Sequence, residues 1–316
     1  ASNTPETWPK HINYNKINAS RSFDEFNAEM ETAAFLVFKN DSIITEKYYN
    51  GYNENSVINS FSMAKTLISV SLAKAIEQGH IKSLDQKVID FIPELKGEFS
   101  SEVTVEDLIA MQSGMKWVEP SLNPFSVLAK TYFVKDINKL MLEQPYINKP
   151  GINFHYSSGN TQVLALVIER ATGQKISDYF SENFWKRMNA EKNAIWQLDS
   201  FESGNAKAFC CFSTNARDLS RMGKLYINNG NYLNKDPTTI FPSIFTGSNS
   251  WGDFDNDGNI DLFQYTGAGS LHRNNGDGTF EQLDFPKLPT VNSMGAVWID
   301  INNDGLIDRY EGGYEI

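Results

Sequence analysis

The chain has 316 residues, 41% hydrophobic and 13% aromatic, enough to bury a sizeable core in one large or two smaller domains. Its formal net charge of −11 is concentrated: residues 236–316 hold 13 of the 39 acidic side chains and 3 of the 28 basic ones, so the body is close to neutral. That asymmetry argues against a nucleic-acid partner and for cation binding or disorder in the tail, and no apolar run is long enough to span a bilayer.

The opening Ala1-Ser2-Asn3-Thr4-Pro5 has no basic or apolar leader pattern and reads as a start already trimmed. A short helix is predicted over Phe23–Met30. Two β-rich runs, Ala33–Lys39 and Ser42–Tyr49, flank Asn40-Asp41 and predict a hairpin. An apolar helix follows from Ser62 to Gln78, with Gly79 as its C-terminal stop. Leu84–Ile92 continues in helical style, and Thr104 with Asp107 predicts a capping box. Residues 113–153 read as irregular apart from a helix near Val134–Gln144. Helices are then predicted over Thr161–Thr172, ended by Gly173, and over Ile176–Met188 and Thr214–Asn228. Cys210 and Cys211 are adjacent, which predicts two small packed hydrophobes rather than a disulfide, and their spacing fits no metal site.

Ser62-Met63-Ala64-Lys65 carries the first chemistry. Residues three apart share a helix face, so the Lys65 amine can reach the Ser62 hydroxyl and take its proton. A serine at a helix start also sits where unpaired N–H groups and the positive dipole end favour an oxyanion. The plain alternative is Ser62 as an N-cap and Lys65 as a solvated helix residue. The second constellation is Tyr156-Ser157-Ser158-Gly159-Asn160, after Pro150-Gly151. Placed beside Ser62, Tyr156 can relay a proton to a leaving group, and the Ser158 hydroxyl can hydrogen-bond Lys65.

With Leu108–Met115, Ile168–Gly173 and Ser213–Leu219, these blocks make residues 31–232 resemble the serine β-lactamase-like family of class C β-lactamases, DD-peptidases, esterases and 6-aminohexanoate-dimer hydrolases. The resemblance implies Ser62 as nucleophile, Lys65 as its base, Tyr156 as proton relay and Ser158 where many relatives carry asparagine. It implies an acyl-enzyme route on an amide, β-lactam, ester or peptide. The chain departs from the pattern after Tyr232. The third motif, a Lys/His-Thr/Ser-Gly strand, is absent, and Tyr265-Thr266-Gly267 lacks its cation. That strand would supply a second oxyanion donor, so slow turnover is expected.

In the tail, Asp253, Asp255, Asp257 and Asp261 alternate around Gly258, and Asp300, Asn302, Asp304 and Asp308 repeat the pattern 47 residues on around Gly305. Calcium takes roughly 6–8 oxygen ligands, and such loops offer most of them. The flanking runs look like strands, so the loops resemble FG-GAP (integrin α-like) repeats of β-propellers rather than EF-hands. One and a half blades cannot close a propeller, which typically needs ~4–8.

The expected fold is therefore α+β. A β-lactamase/transpeptidase-like helical domain with an antiparallel sheet lacking its C-terminal strands occupies residues 1–235. A β-rich, calcium-binding partial blade occupies residues 236–316 and offers a surface for an extracellular protein or glycan. Both resemblances imply a periplasmic or secreted setting. The alternative is a calcium-dependent surface protein whose hydrolase-like domain does not turn over.

Overall fold

The computed structural model describes residues 2–16, 21–119, 126–227, 249–252, 254–259, 261–264, 270–276, 279–283, 292–299 and 308–314. The chain divides into two compact units, Ala1–Phe241 and Pro242–Ile316.

The first unit begins with α1 (Arg21–Glu29) and the antiparallel hairpin β1 (Ala34–Lys39) and β2 (Ser42–Tyr48). Asn40 and Asp41, with φ of 49° and 59°, supply the left-handed pair that a two-residue hairpin turn requires. The short strand β3 (Ile58–Asn59) leads through a 3-10 turn, Phe61–Met63, into α2 (Ala64–Glu77). Helix α2 is apolar on two faces because it lies between two cores. Ile68, Leu72 and Ala75 enter a large cluster with Val163, Leu164 and Val167, whereas Ala64, Leu67 and Val70 enter an aromatic cluster with Phe180, Phe184, Trp185 and Phe212. Gly79 (φ 76°) ends the helix, and its N–H bonds Ile76 O at 2.9 Å.

Leu84–Ile92 is not a helix. Only Val88–Asp90 forms a 3-10 turn, because the backbone bonds laterally instead: Val88 N to Val103 O, Val105 N to Gln86 O and Glu106 N to Leu84 O. The capping box forms at α3 (Val105–Ile109), with Asp107 N on Thr104 Oγ1 at 3.1 Å and Thr104 N on Asp107 Oδ2 at 2.8 Å. Two short helices, α4 (Val127–Lys130) and α5 (Ile137–Leu142), interrupt the irregular stretch. Helix α6 (Ser158–Thr172) runs through the core and stops at Gly173 (φ 71°). A Cβ on Gly159 would lie 2.7 Å from the Trp117 ring and 2.9 Å from Met115 Sδ, so the first turn of α6 packs directly under residues 115–117. Helix α7 (Ile176–Phe180) widens into a π turn, Ser181–Trp185. The strands β4 (Ile195–Trp196) and β5 (Phe212–Thr214) precede α8 (Ala216–Ile227).

The small sheet has the order β3-β5-β4, all antiparallel, with Asn59 opposite Ser213 and Trp196 opposite Phe212. This register sets the turn carrying Ser62 beside the segment that enters β5. Behind it, Trp196 and Trp185 meet the Phe212 ring at centroid distances of 5.3 and 5.4 Å.

The second unit has a four-stranded antiparallel meander, β6 (Asn249–Gly252), β7 (Asp261–Gln264), β8 (Ser270–Asn274) and β9 (Phe280–Leu283). A hairpin of β10 (Asn292–Ile299) and β11 (Asp308–Tyr314) follows. Gly252 pairs with Asp261, and Ile299 with Asp308. Both acidic runs therefore fall in sequence between paired strands rather than between helices.

Candidate active site

Three contacts shape the turn that presents Ser62. Ser60 N donates to Phe212 O at 2.8 Å, tying the turn to β5. Asn59 Oδ1 accepts Phe61 N at 2.9 Å and holds Phe61 at φ 45°, a conformation costly for an aromatic residue. Met63 N then bonds Ser60 O at 3.1 Å. The Ser62 N–H has no protein acceptor among the described residues, and the Ser62 side chain is exposed to solvent at the head of α2.

Lys65 Nζ donates to Ser62 Oγ at 3.1 Å and to Phe209 O at 3.0 Å. The amine also faces two rings, the Tyr156 centroid at 5.0 Å and the Phe209 centroid at 5.8 Å. Ser62 and Lys65 from one stretch and Tyr156 from another thus come together, and it is the Tyr156 ring that meets the amine. The Tyr156 segment is held from behind, with His155 N on Met111 O at 2.8 Å and His155 Nε2 against Trp117 O at 3.0 Å.

Ser158 does not reach Lys65. Its hydroxyl donates to Glu119 Oε1 at 2.6 Å and its N–H to Glu119 Oε2 at 3.0 Å, while Trp117 Nε1 also bonds that carboxylate. The reason is positional: Ser158 opens α6, where an unpaired N–H and the positive helix end attract a carboxylate. Ser157 is the N-cap, accepting Asn160 N at 3.2 Å, and Asn160 Oδ1 accepts Ser113 Oγ at 2.7 Å.

The cysteines also differ from expectation. Cys210 and Cys211 form a vicinal disulfide with Cα atoms 3.8 Å apart, closer than in ordinary bridges. Cys211 adopts φ 67°, which turns the two side chains to a common side. Nothing in the amino-acid order marked Glu119 or the Phe209 carbonyl as part of the site. The first is one acid among many, and the second is a backbone atom.

Beside this segment, the Lys207 side chain is buried, its amine 5.5 Å from the Tyr132 ring centroid. Loss of solvent pulls its pKa below the usual lysine range, and Asp199 partly offsets this.

In the tail, Asp253, Asp300, Asn302 and Asp304 lie outside the described residues, as does the Asp308 side chain. Asp261 is fully buried and accepts Asn274 N at 2.7 Å and Phe254 N at 3.0 Å, a strut for its own hairpin. Asp255 pairs with Arg273 Nε at 2.8 Å, and Asp257 accepts Asn259 N at 2.7 Å. Among the described residues no three His, Cys, Asp or Glu side chains converge on a metal position.

The family model described as Beta-lactamase matches residues 19–256, about three quarters of the chain. The chain belongs to the Beta-lactamase family. A second model, the FG-GAP-like repeat, matches residues 253–310. The family member is 26% identical over 210 residues to the 6-aminohexanoate-dimer hydrolase of Paenarthrobacter ureafaciens, covering 63% of this chain and 53% of that protein. It is 25% identical over 181 residues to Protein flp of Staphylococcus aureus strain COL, covering 53% of this chain and 35% of that one. The chain thus spans about half of the first relative and about a third of the second. A solved structure from Bacillus anthracis, provisionally named a 6-aminohexanoate-dimer hydrolase, superposes with a TM-score of 0.63 at 25% identity over 73% of this chain and 65% of its own.

Proposed function

We propose that this Beta-lactamase family chain is a serine hydrolase that forms an acyl-enzyme on Ser62. The observation that carries the reading is the 3.1 Å hydrogen bond between Lys65 Nζ and Ser62 Oγ at the head of α2. With the amine neutral, the same contact takes the hydroxyl proton as Oγ attacks a carbonyl carbon. The Ser62 N–H then faces the developing oxyanion. Tyr156 relays the proton to the departing amine or alcohol, and water releases the acyl group. Amides, esters, β-lactams and small peptides share the carbonyl this chemistry needs. The name of the Paenarthrobacter relative favours an amide of an ω-amino acid. Treating wild type and Ser62→Ala with a fluorophosphonate and mapping the adduct by mass spectrometry tests the reading. Label on a Ser62 peptide is expected, and equal labelling of the variant would sink it.

One observation favours a second reading, in which the domain binds without turnover: the Ser158 hydroxyl is committed to Glu119. Loss of one oxyanion donor slows turnover by about 10²–10³.

For the tail we propose calcium, held between Asp253, Asp255, Asp257 and Asp261 and again by Asp300, Asn302, Asp304 and Asp308. An oxygen-only donor set suits a hard cation. Binding at the first loop would need Asp255 to release Arg273. The same unit would meet an extracellular protein or glycan, in the periplasm or outside the cell. No helix among the described residues is long and apolar enough to cross a membrane.

A further inference from the structure

The buried pair Cys210–Cys211 adjoins a backbone carbonyl that holds the lysine of the site. Phe209 O accepts Lys65 Nζ at 3.0 Å, and the disulfide begins at the next residue. The flanking carbonyls are pinned independently. Trp196 Nε1 donates to Lys207 O at 3.0 Å and Cys210 O at 3.1 Å, Gln197 N to Cys211 O at 3.0 Å, and Ser60 N to Phe212 O at 2.8 Å. Seen from β5, the aim of the Phe209 carbonyl follows the torsions of residues 210 and 211, with its own peptide also held by Cys210 N on Lys207 O at 3.2 Å. The disulfide closes a small ring through their shared peptide and so restricts ψ of Cys210 and φ of Cys211. Cys211 sits at φ 67°, a conformation that glycine adopts freely and a side chain with a Cβ resists.

We propose that the Cys210–Cys211 disulfide is a redox-responsive positioning device for Lys65, acting through the Phe209 carbonyl. Reduction adds two electrons and two protons and gives two thiols. A phosphine supplies the electrons and leaves as its oxide, with oxygen from water. The ring is then open, Cys211 relaxes toward negative φ, and the Phe209 carbonyl turns from the amine. Small displacements of a reacting group cost up to about 10²-fold in rate, so a roughly ten- to hundred-fold slower acylation of Ser62 is expected. Neither cysteine touches substrate in this scheme.

The proposal rests on the serine-hydrolase reading for its rate readout but not for its lysine readout, and the experiment uses both. The whole protein, purified without reductant, is weighed before and after a phosphine. The untreated protein should be lighter by two hydrogens and blind to iodoacetamide. Fluorophosphonate acylation of Ser62 and acetylation of each lysine by an N-hydroxysuccinimide ester are then followed in both states, with peptide mapping. Reduction should slow Ser62 labelling and raise Lys65 acetylation while that of Lys47 and Lys87 stays constant. Cys211→Ala should behave as reduced protein under either condition. Cys211→Gly should keep the fast rate and ignore the phosphine, a rescue that loss of packing alone would not give. These variants answer also if the phosphine fails to reach the buried pair. Free thiols in the untreated protein would overturn the proposal, as would Lys65 acetylation alike in wild type and Cys211→Ala. Absence of Ser62 labelling with intact redox dependence of Lys65 would instead remove the hydrolase reading and leave the device standing.

Discussion

Replacing Arg217 with methionine isolates one buried charge pair. Glu46 sits on β2 with its side chain 2% exposed, and Arg217 Nε and Nη2 reach its two oxygens at 2.6 and 2.8 Å. Tyr14 adds a hydrogen bond at 2.8 Å, and Tyr48 adds another. Burial pushes the Glu46 carboxyl up, but the bonds from Arg217, Tyr48 and Tyr14 outweigh it and hold it below the usual carboxylate range. Removing one partner of a buried pair costs about 3–5 kcal/mol, because the other charge is stranded. The two tyrosines remain, which favours the lower end. At about 2–4 °C per kcal/mol for a unit of this size, Tm should fall by roughly 6–12 °C at pH 7. The sign with pH follows. In wild type the depressed carboxyl contributes stability that is full above its unfolded value and lost as pH falls through the folded one. In Arg217→Met burial dominates, the carboxyl rises, and protonation relieves the penalty as pH falls. Scanning both proteins at pH 7 and about 4.5 should show the gap narrowing, and Glu46→Gln with Arg217→Met should recover most of it. A gap that does not narrow on acidification would refute the stranded-charge argument.

Gly114→Ala places a Cβ 2.0 Å from Asn148 O at φ 72°, so urea unfolding should show a loss above about 1 kcal/mol. Glu94 accepts two Arg170 bonds that hold it down to about 2. Its contribution should be present above the ordinary glutamate range and lost as pH falls toward that value. Both side chains are a third or more exposed, so Glu94→Gln should cost at most about 1 kcal/mol at pH 7 and nothing near pH 2. Excess calcium should raise Tm relative to chelator by the linkage term, about 2.7 kcal/mol at a hundredfold excess over Kd. Asp255→Ala with Asp304→Ala should abolish the difference, and identical melting of wild type in both conditions would contradict a stabilising calcium site.

The elements set by local chemistry were legible in the chain. The Asn40-Asp41 turn, the Thr104–Asp107 box and the glycine stops at 79 and 173 each rest on contacts within a few residues. Leu84–Ile92 misled because its hydrogen-bond partners, Val103, Val105 and Glu106, lie 15 to 22 residues on, and periodicity cannot see them. The site divides along the same line. The Ser62–Lys65 spacing is local, whereas Glu119 capturing Ser158 and the Phe209 carbonyl capturing Lys65 are long-range contacts. The disulfide escaped because neighbouring Cα atoms lie closer than ordinary bridges allow, and the left-handed backbone of Cys211 that accompanies it is a property of the fold rather than of the residue type.

If Lys65 activates Ser62, the acylation rate of Ser62 reads that activation. Wild type and Lys65→Met are mixed with a fluorophosphonate under pseudo-first-order conditions, and the Ser62 peptide is quantified over time. Loss of a positioned general base should slow labelling by roughly 10²–10⁴-fold, with melting of the two proteins compared in parallel. Equal rates in two equally folded proteins would mean that Lys65 does not activate Ser62.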